Sequence, residues 1–434
     1  MQLRTLGPHV ASLLPPEGAV GAFGRPGGTD TSAPHIVVLS SLFPSERQPG
    51  AGLFVRERMF RVGARLPLTV VAPTPWFPLQ GLLARFRPGF RPGAPAREQQ
   101  GRFEVSYPRF FSVPGLFKRF DGVLMALGAL PRLHALKRAG RLDVIDAHFG
   151  YPDGHAAGLL GAWLKVPVTI TLRGTEVRHA ADPALRPRLL RGLQRATRVF
   201  AVSESLRQLA LSLGIAPGKV RVIGNGVDIA RFTRASPAAM RQALGLPAGA
   251  PLLITVGGLV ERKGFHRVIE CLPALRREFP GLRYLCVGGA SAEGDWTDRL
   301  ATLARQLGVA EDVQFTGALP PHEVQRHLCA ADVFVLATRN EGWANVLLEA
   351  MACGLPVVAT DVGGNAEVVC SPVLGRIVPF GDAEALHAAL REALTQRWDR
   401  AAIRRHAEAN TWDQRVDALE AEFRALPRRP LAAA

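Results

Sequence analysis

Several features that stabilise or anchor a protein without a large core are scarce or missing in this chain. Only five of its 434 residues are cysteine: Cys271, Cys286, Cys329, Cys353 and Cys370. None forms a C-x-x-C pair, and all lie in apolar stretches of the second half. An odd count without clustered ligands argues against a disulfide framework and against a zinc site, so the five read as buried thiols in a reducing compartment. No apolar run reaches the ~18 residues needed to cross a bilayer. Residues 1–33, rich in Gly and Pro, lack the sustained apolar core of a secretory signal and read as a flexible leader. These absences predict a cytoplasmic protein. No G-x-G-x-x-G follows the first strand of either half with an acidic residue ~20 positions on, which excludes a nicotinamide oxidoreductase fingerprint.

What remains is the composition of a soluble globular enzyme, 47% hydrophobic and 21% charged, long enough for two domains with tails. The net charge of +16 is uneven. Residues 1–240 hold 32 Lys and Arg against 14 Asp and Glu, whereas residues 241–434 hold 21 against 23. A GC-rich genome explains the preference for Arg over Lys, but not this asymmetry. A basic half concentrates anionic partners: a lipid surface, a lipid-phosphate acceptor or nucleic acid. No recognition motif supports nucleic acid.

Strands and helices alternate along both halves. In the first, His35–Ser40, Leu68–Ala72, Leu142–Ala147, Val166–Leu172, Arg198–Val202 and Lys219–Ile223 read as strands. Helices are expected at Leu53–Ala64, Pro152–Leu164, Ala184–Ala196 and Glu204–Leu213, with Trp76–Ala96 a long aromatic and basic loop. In the second, Leu252–Val256, Leu282–Val287, Val313–Thr316, Val333–Ala337, Val357–Thr360 and Gly375–Val378 read as strands with helices between them. The alternation predicts an α/β protein with two doubly wound parallel sheets. Ligands of such sheets bind at the carboxyl ends of the strands. The expected division is a leader over 1–33, a domain over 34–230, a linker over 231–250 and a domain over 251–410. A terminal helix and tail over 411–434 either caps the structure or crosses back.

Three segments carry chemistry. After the first strand of the second half comes Gly257–Gly258, then Arg262 and Lys263 before a helix start. Two cations with free helix N–H groups suit a diphosphate. Asn340–Val369 places Glu341 at the end of a strand and Glu349 one turn inside the next helix, which Asn345 is expected to cap. A carboxylate accepts paired sugar hydroxyls. Gly363–Gly364 permits a second close backbone approach. In the first half, His148 ends a strand and Arg173–Glu176 (RGTE) follows one.

The segments Gly258–Gly264 (G-x-x-x-R-K-G), Glu341–Val358 (E-G-x-x-x-x-x-x-E-A-M-A-x-G-x-P-V-V) and Gly363–Glu367 (G-G-x-x-E) resemble the signature of glycosyltransferase family 4. In the first half FPSERQPGAGLFVRE, DAHFGYPDG, TLRGTE and IGNGVD resemble its exopolysaccharide and lipopolysaccharide members. The resemblance implies the GT-B fold, two Rossmann-like domains facing a central cleft. It implies a retaining, hexosyltransferase-type enzyme that moves sugar from a nucleoside-diphosphate sugar to a glycan or lipid-linked acceptor.

By that resemblance Arg262 and Lys263 would neutralise the diphosphate, Glu349 would bind ribose, and Glu341 would bind the donor sugar. Main-chain N–H groups of Trp343, Ala344, Asn345, Val346 and Leu347 would touch sugar and phosphate, and Gly317 to Leu319 would stack near the base. Gly50 and Gly52 would let the first loop close on the phosphates, and Gly258 would allow close approach. Family members carry Arg in a G-R-L triplet where this chain has Gly258, and Arg262 stands in for that cation. Arg173 occupies the usual His place; always protonated, it could bind a phosphate or the departing oxygen but not act as a base. His148, Thr175, Glu176 and Asn225 would line the acceptor side or the cleft. The resemblance implies no cofactor and no metal, and no D-x-D motif that would hold one is present. A nucleotide-sugar 2-epimerase shares the fold, but the E-G-W…E-A-M-A pattern and the RGTE segment favour transfer. Trp76–Arg97 and Phe117–Phe120 suggest peripheral contact with anionic membrane.

Overall fold

Short runs of aliphatic and β-branched residues, each too brief for a helix and bounded by Gly, Pro or polar residues, become the buried strands of two sheets. The computed structural model describes residues 33–78, 80–86, 93–291 and 293–427, without the side chains of residues 82–84. All but the last residue of the leader, and the end of the tail, lie outside these residues. Two compact units result. One ends at Ile223 and resumes at Val416; the other is Gly224–Arg415.

The first unit runs β1 (Ile36–Leu39), α1 (Leu53–Gly63), β2 (Leu68–Val71), β3 (Thr74–Trp76), α2 (Gln80–Phe86), β4 (Arg97–Gln100), β5 (Phe103–Ser106), β6 (Arg109–Phe111), α3 (Asp121–Arg138), β7 (Val144–His148), α4 (His155–Leu164), β8 (Val168–Leu172), α5 (Thr175–Ala181), α6 (Arg186–Arg195), β9 (Arg198–Ala201), α7 (Glu204–Ser212) and β10 (Val220–Val222). Eight strands form one sheet in the order β10-β9-β8-β7-β1-β2-β5-β4, parallel except for the β4–β5 pair; β3 and β6 form a separate parallel ladder. Every residue of β1, β2, β7 and β8 is buried, as a parallel sheet covered on both faces requires.

The second unit runs α8 (Pro237–Leu244), β11 (Leu252–Val256), α9 (Phe265–Glu278), β12 (Arg283–Val287), α10 (Thr297–Gln306), β13 (Val313–Gly317), α11 (Pro321–Ala330), β14 (Val333–Leu336), α12 (Asn345–Ala352), β15 (Val357–Thr360), α13 (Asn365–Val368), β16 (Gly375–Val378), α14 (Ala383–Thr395) and α15 (Arg400–Glu408). Its six parallel strands lie in the order β13-β12-β11-β14-β15-β16. The order reverses between β11 and β14, which marks the ligand-binding crevice of a doubly wound sheet. The last helix, α16 (Trp412–Arg424), joins the first unit. There Phe423 packs edge-on against Phe200 at 5.8 Å, and Arg198 and Arg221 both pair with Glu422.

Three local readings are corrected. Part of the expected loop is helical, as α2, because QGLLARF carries no breaker beyond one Gly. The sequence gives little sign of the β4–β5 hairpin and the 18-residue α3: both strands are short, β4 is wholly polar, and α3 contains Pro131. Four cysteines are buried, but Cys370 is exposed, in the turn after α13.

Candidate functional site

At the carboxyl edge of the second sheet, β11 runs into a turn whose last residues, Glu261–Lys263, form one 3-10 turn before α9. This turn is stitched to the end of β14. Arg339 N–H and Thr338 Oγ1 donate to the Arg262 carbonyl at 2.8 and 3.0 Å, and Arg262 Nη1 donates to Asn340 O at 3.0 Å. Gly264 closes the turn with φ +78°; a Cβ there would lie 1.9 Å from Ala337 O, so only glycine lets the two loops touch. The stitching brings Arg262, Lys263 and Glu341 together. Glu341 Oε1 accepts from Arg262 Nη1 at 3.1 Å and from Lys263 Nζ. A third loop joins them: Gly363, at φ +57°, leaves no room for a side chain against Glu341 O.

The start of α12 differs from expectation. Ala344 is the N-cap and Asn345 the first helical residue, with no side-chain cap. Asn345 Oδ1 instead accepts from Asn225 Nδ2 at 2.8 Å, which places Asn225 in the second unit beside this helix start. Leu347 is buried and its N–H donates to Ala344 O at 3.1 Å, so it leaves the expected set of free donors. The Trp343 ring packs on Gly224, and Val346 packs against the core. Glu349 is half-buried, one turn inside α12. Gly317 is exposed at the end of β13, and Leu319 packs into the core cluster beyond it. Gly258 faces Ser291, whose Cβ would lie 3.1 Å from a side chain there.

One participant had no signal in the sequence. Glu293, in the loop after β12, grips Arg262: Nε donates at 2.8 and 3.2 Å and Nη2 at 2.6 Å. This hydrogen bond, more than the neighbouring Glu341, holds the Arg262 guanidinium above its usual pKa. An exposed acid in a Gly-rich loop resembles any solvated side chain until the fold places it.

At its centre, the matching edge of the first sheet is packed with buried charge. His148 ends β7 fully buried, and Arg173 follows β8 buried beside it. Arg173 Nε and Nη2 both lie within hydrogen-bond reach of His148 Nδ1, at 3.1 and 2.9 Å. Because arginine only donates, Nδ1 is the acceptor and the imidazole proton sits on Nε2, 3.2 Å from Asp146 Oδ2. Burial first, and then the Arg173 charge, lower the His148 pKa to about 4. The Arg173 guanidinium also lies 5.0 Å over the Phe54 ring.

Glu176 does not line an acceptor surface. It is fully buried, and its carboxylate accepts from Gly150 N (2.7 Å), Arg173 N (3.0 Å) and Gly174 N (2.7 Å), tying the loop after β7 to the loop after β8. Asp153 is a second strut: it accepts from Ser41 N at 2.5 Å and Ser41 Oγ at 3.0 Å, and burial raises its pKa to about 7. Thr175 begins α5, half-buried, with its hydroxyl 3.4 Å from Glu176. Gly52 caps α1 at φ +67°; Gly50 is exposed.

The comparisons agree with this architecture. The family model described as Glycosyltransferase Family 4 matches residues 86–231, and that described as Glycosyl transferases group 1 matches residues 238–410. The chain is 30% identical to the glycosyltransferase TuaC of Bacillus subtilis, assigned to teichuronic acid biosynthesis, over 76% of this chain and 81% of that one. It is 34% identical to the D-inositol 3-phosphate glycosyltransferase of Geodermatophilus obscurus, over 70% and 71%. Among solved structures, Anabaena Alr3699/HepE in complex with UDP superposes with a TM-score of 0.68 at 20% identity, covering 90% of this chain and all of that one. Sucrose-phosphate synthase from Thermosynechococcus elongatus gives the same score and identity over 90% and 98%. With two parallel-sheet α/β units of the GT-B kind, both family models matched in chain order and relatives aligned over most of their length, this chain belongs to the group 1 glycosyltransferases.

Proposed function

We propose that the enzyme transfers a sugar from a nucleoside-diphosphate sugar, with retention of configuration and without a metal, to a glycan or lipid-linked acceptor in cell-surface polysaccharide or glycolipid synthesis. The observation that carries this reading is the convergence of Arg262, Lys263 and Glu341 beside the start of α12. The cations suit a diphosphate and stabilise the charge of the leaving group, and the carboxylate suits sugar hydroxyls. Glu349 takes the ribose. The N–H groups of Trp343, Ala344, Asn345 and Val346 approach sugar and phosphate, and Gly317 with Leu319 flanks the base. With Glu176 and Asp153 buried as struts, the donor's own phosphate removes the acceptor proton on the face that the leaving group vacates. UDP is the favoured nucleotide, since UDP occupies Alr3699/HepE in its solved complex. The surface-polysaccharide role rests on TuaC and on the WcaL relative of Salmonella typhimurium, assigned to colanic acid biosynthesis.

A panel of nucleotides and nucleotide sugars tests the donor: a ligand held only by the native state raises the melting temperature. The anomeric configuration of the product, read by NMR, tests retention. No response to any nucleotide diphosphate, or an inverted product, overturns the respective half of the reading.

The enzyme works in the cytoplasm as a peripheral protein on the inner face of the membrane. Supporting this, among the described residues no helix is long and apolar enough to span a bilayer, while Trp76, Phe111, Leu116, Phe117 and Phe120 are exposed on the first unit with Lys118 and Arg119 among them. Co-sedimentation with vesicles that is indifferent to anionic lipid overturns this part.

A further inference from the structure

An open cavity of about 400 Å³ lies at the outer end of the first sheet, lined by Arg97, Arg109, Arg132, Ser106 and Tyr107 among others. Ser106 ends β5, so the cavity opens on the same carboxyl edge as Ser40 and His148. Glu104 lies beside this lining, and three arginines share it: Arg132 at 2.6 Å, Arg141 at 3.4 Å and Arg97 at 3.9 Å. Arg109 adds a fourth guanidinium. Three of these guanidiniums, Arg97, Arg109 and Arg132, line the cavity and no carboxylate does, so the lining carries a positive surplus. Arg132 registers it: burial, with Arg97 and Arg141 nearby, lowers its pKa despite Glu104. Guanidinium groups in this arrangement match the paired oxygens of a phosphate.

The cavity borders an apolar surface. Gly128 of α3 packs so closely on β6 that a Cβ would lie 2.5 Å from Arg109 O. Beside that contact, α3 and the turn before it present Phe120, Val123 and Leu127 to solvent at helical spacing. Leu127 is 53% exposed, and the exposed Trp76 and Phe111 are partners on the β3–β6 ladder. Large apolar side chains exposed in one neighbourhood mark an interaction surface.

We propose that the cavity binds the phosphate or diphosphate of a lipid-borne acceptor, whose hydrocarbon chain lies on the apolar face of α3. Charge complementarity fixes the headgroup end, and the exposed Phe120, Val123 and Leu127 fix the tail end. The assignment rests on the reading above that the acceptor is lipid-linked, and it names the chemistry that the first unit recognises.

Isothermal titration with farnesyl diphosphate, at saturating UDP, tests it on the full-length chain. Arg97 and Arg109 are exposed, so Arg97→Ala/Arg109→Ala leaves the core intact. Wild type is expected to bind farnesyl diphosphate about tenfold more tightly than the double variant, and to bind inorganic pyrophosphate more weakly. UDP is expected to raise the melting temperature of both proteins equally. Equal farnesyl diphosphate affinity in the two proteins, or none in wild type, overturns the site. Pyrophosphate binding as tightly as farnesyl diphosphate overturns the lipid assignment in favour of free phosphate. Displacement by phosphatidylglycerol vesicles at equal lipid concentration overturns the acceptor assignment in favour of the bilayer surface. A wild type that ignores UDP but binds farnesyl diphosphate defeats the donor reading and leaves this site standing.

Discussion

The two units build the same kind of sheet edge from charged residues and use the charge in opposite ways. In the first, His148, Arg173, Glu176 and Asp153 are buried, and their polar atoms are largely spent on one another or on backbone N–H groups. In the second, Arg262, Lys263 and Glu341 stay partly exposed and are held by partners that a ligand can displace. A buried charge that is fully hydrogen-bonded fixes a loop, because breaking it leaves its partners unpaired in low dielectric. A charge at the surface exchanges one partner for another at small cost. Around His148 the first edge is a scaffold for loops, whereas around Arg262 the second is a site. The experiments below separate stability from turnover along that line.

The largest effect is expected in the second unit and on turnover alone. Glu341→Ala and Lys263→Ala should each lower kcat by roughly 10²–10³, the loss typical of one preorganised electrostatic contact, and leave the melting temperature within a few degrees of wild type. Near-native turnover in both would place the donor elsewhere. Next comes Glu176→Gln in the first unit. The amide nitrogen would meet backbone N–H groups that now donate to a carboxylate, so denaturant titration should show a loss of about 2–3 kcal/mol. A variant of native stability but reduced turnover would show that this edge, too, acts as a site.

The pH dependence of stability sharpens the contrast further. The His148 pKa is lowered from 6.5 to about 4 by burial and by Arg173. Between those values the unfolded chain binds a proton that the native one refuses, so stability falls as pH drops through the window. The slope from this one group reaches about 1.4 kcal/mol per pH unit. Asp153, raised to about 7, acts in the opposite sense, because its native form holds a proton that the unfolded chain has released. The measurement is therefore the difference between wild type and His148→Gln, which should shrink as pH falls from 6.5 toward 4. A difference independent of pH would mean that His148 is not held neutral.

Much of this was legible in the sequence, and unevenly so. The second unit is spelled out by continuous apolar strands, Gly punctuation and the R-K-G and E-x7-E spacings, so Arg262, Lys263 and Glu341 fall together as their positions at strand ends imply. The first unit hides more. β4 and β5 are too short to read as strands, β4 is wholly polar, α3 carries a proline, and Glu176 sits in a motif that looks like a site while its burial makes it a strut. Burial depends on which loops pack together, and spacing along the chain does not contain that. Asn345 shows the same limit: its residue type suits a cap, but Asn225, 120 positions away in sequence, takes its side chain.

The smallest effect tests how exchangeable the second edge is. Glu293 holds Arg262 in a forked pair and is half exposed. A diphosphate must take that guanidinium from the carboxylate, so Glu293 competes with the donor. Removing it with Glu293→Ala frees Arg262 while Glu341 still holds it in place. An exposed ion pair is worth at most about 1 kcal/mol, so UDP should bind up to about fivefold more tightly in the variant. The gain should shrink as salt rises, because screening weakens the competing pair in wild type as well. Weaker UDP binding in Glu293→Ala would instead make Glu293 a residue that orients Arg262 for the donor, and the second edge would then share the scaffold character of the first.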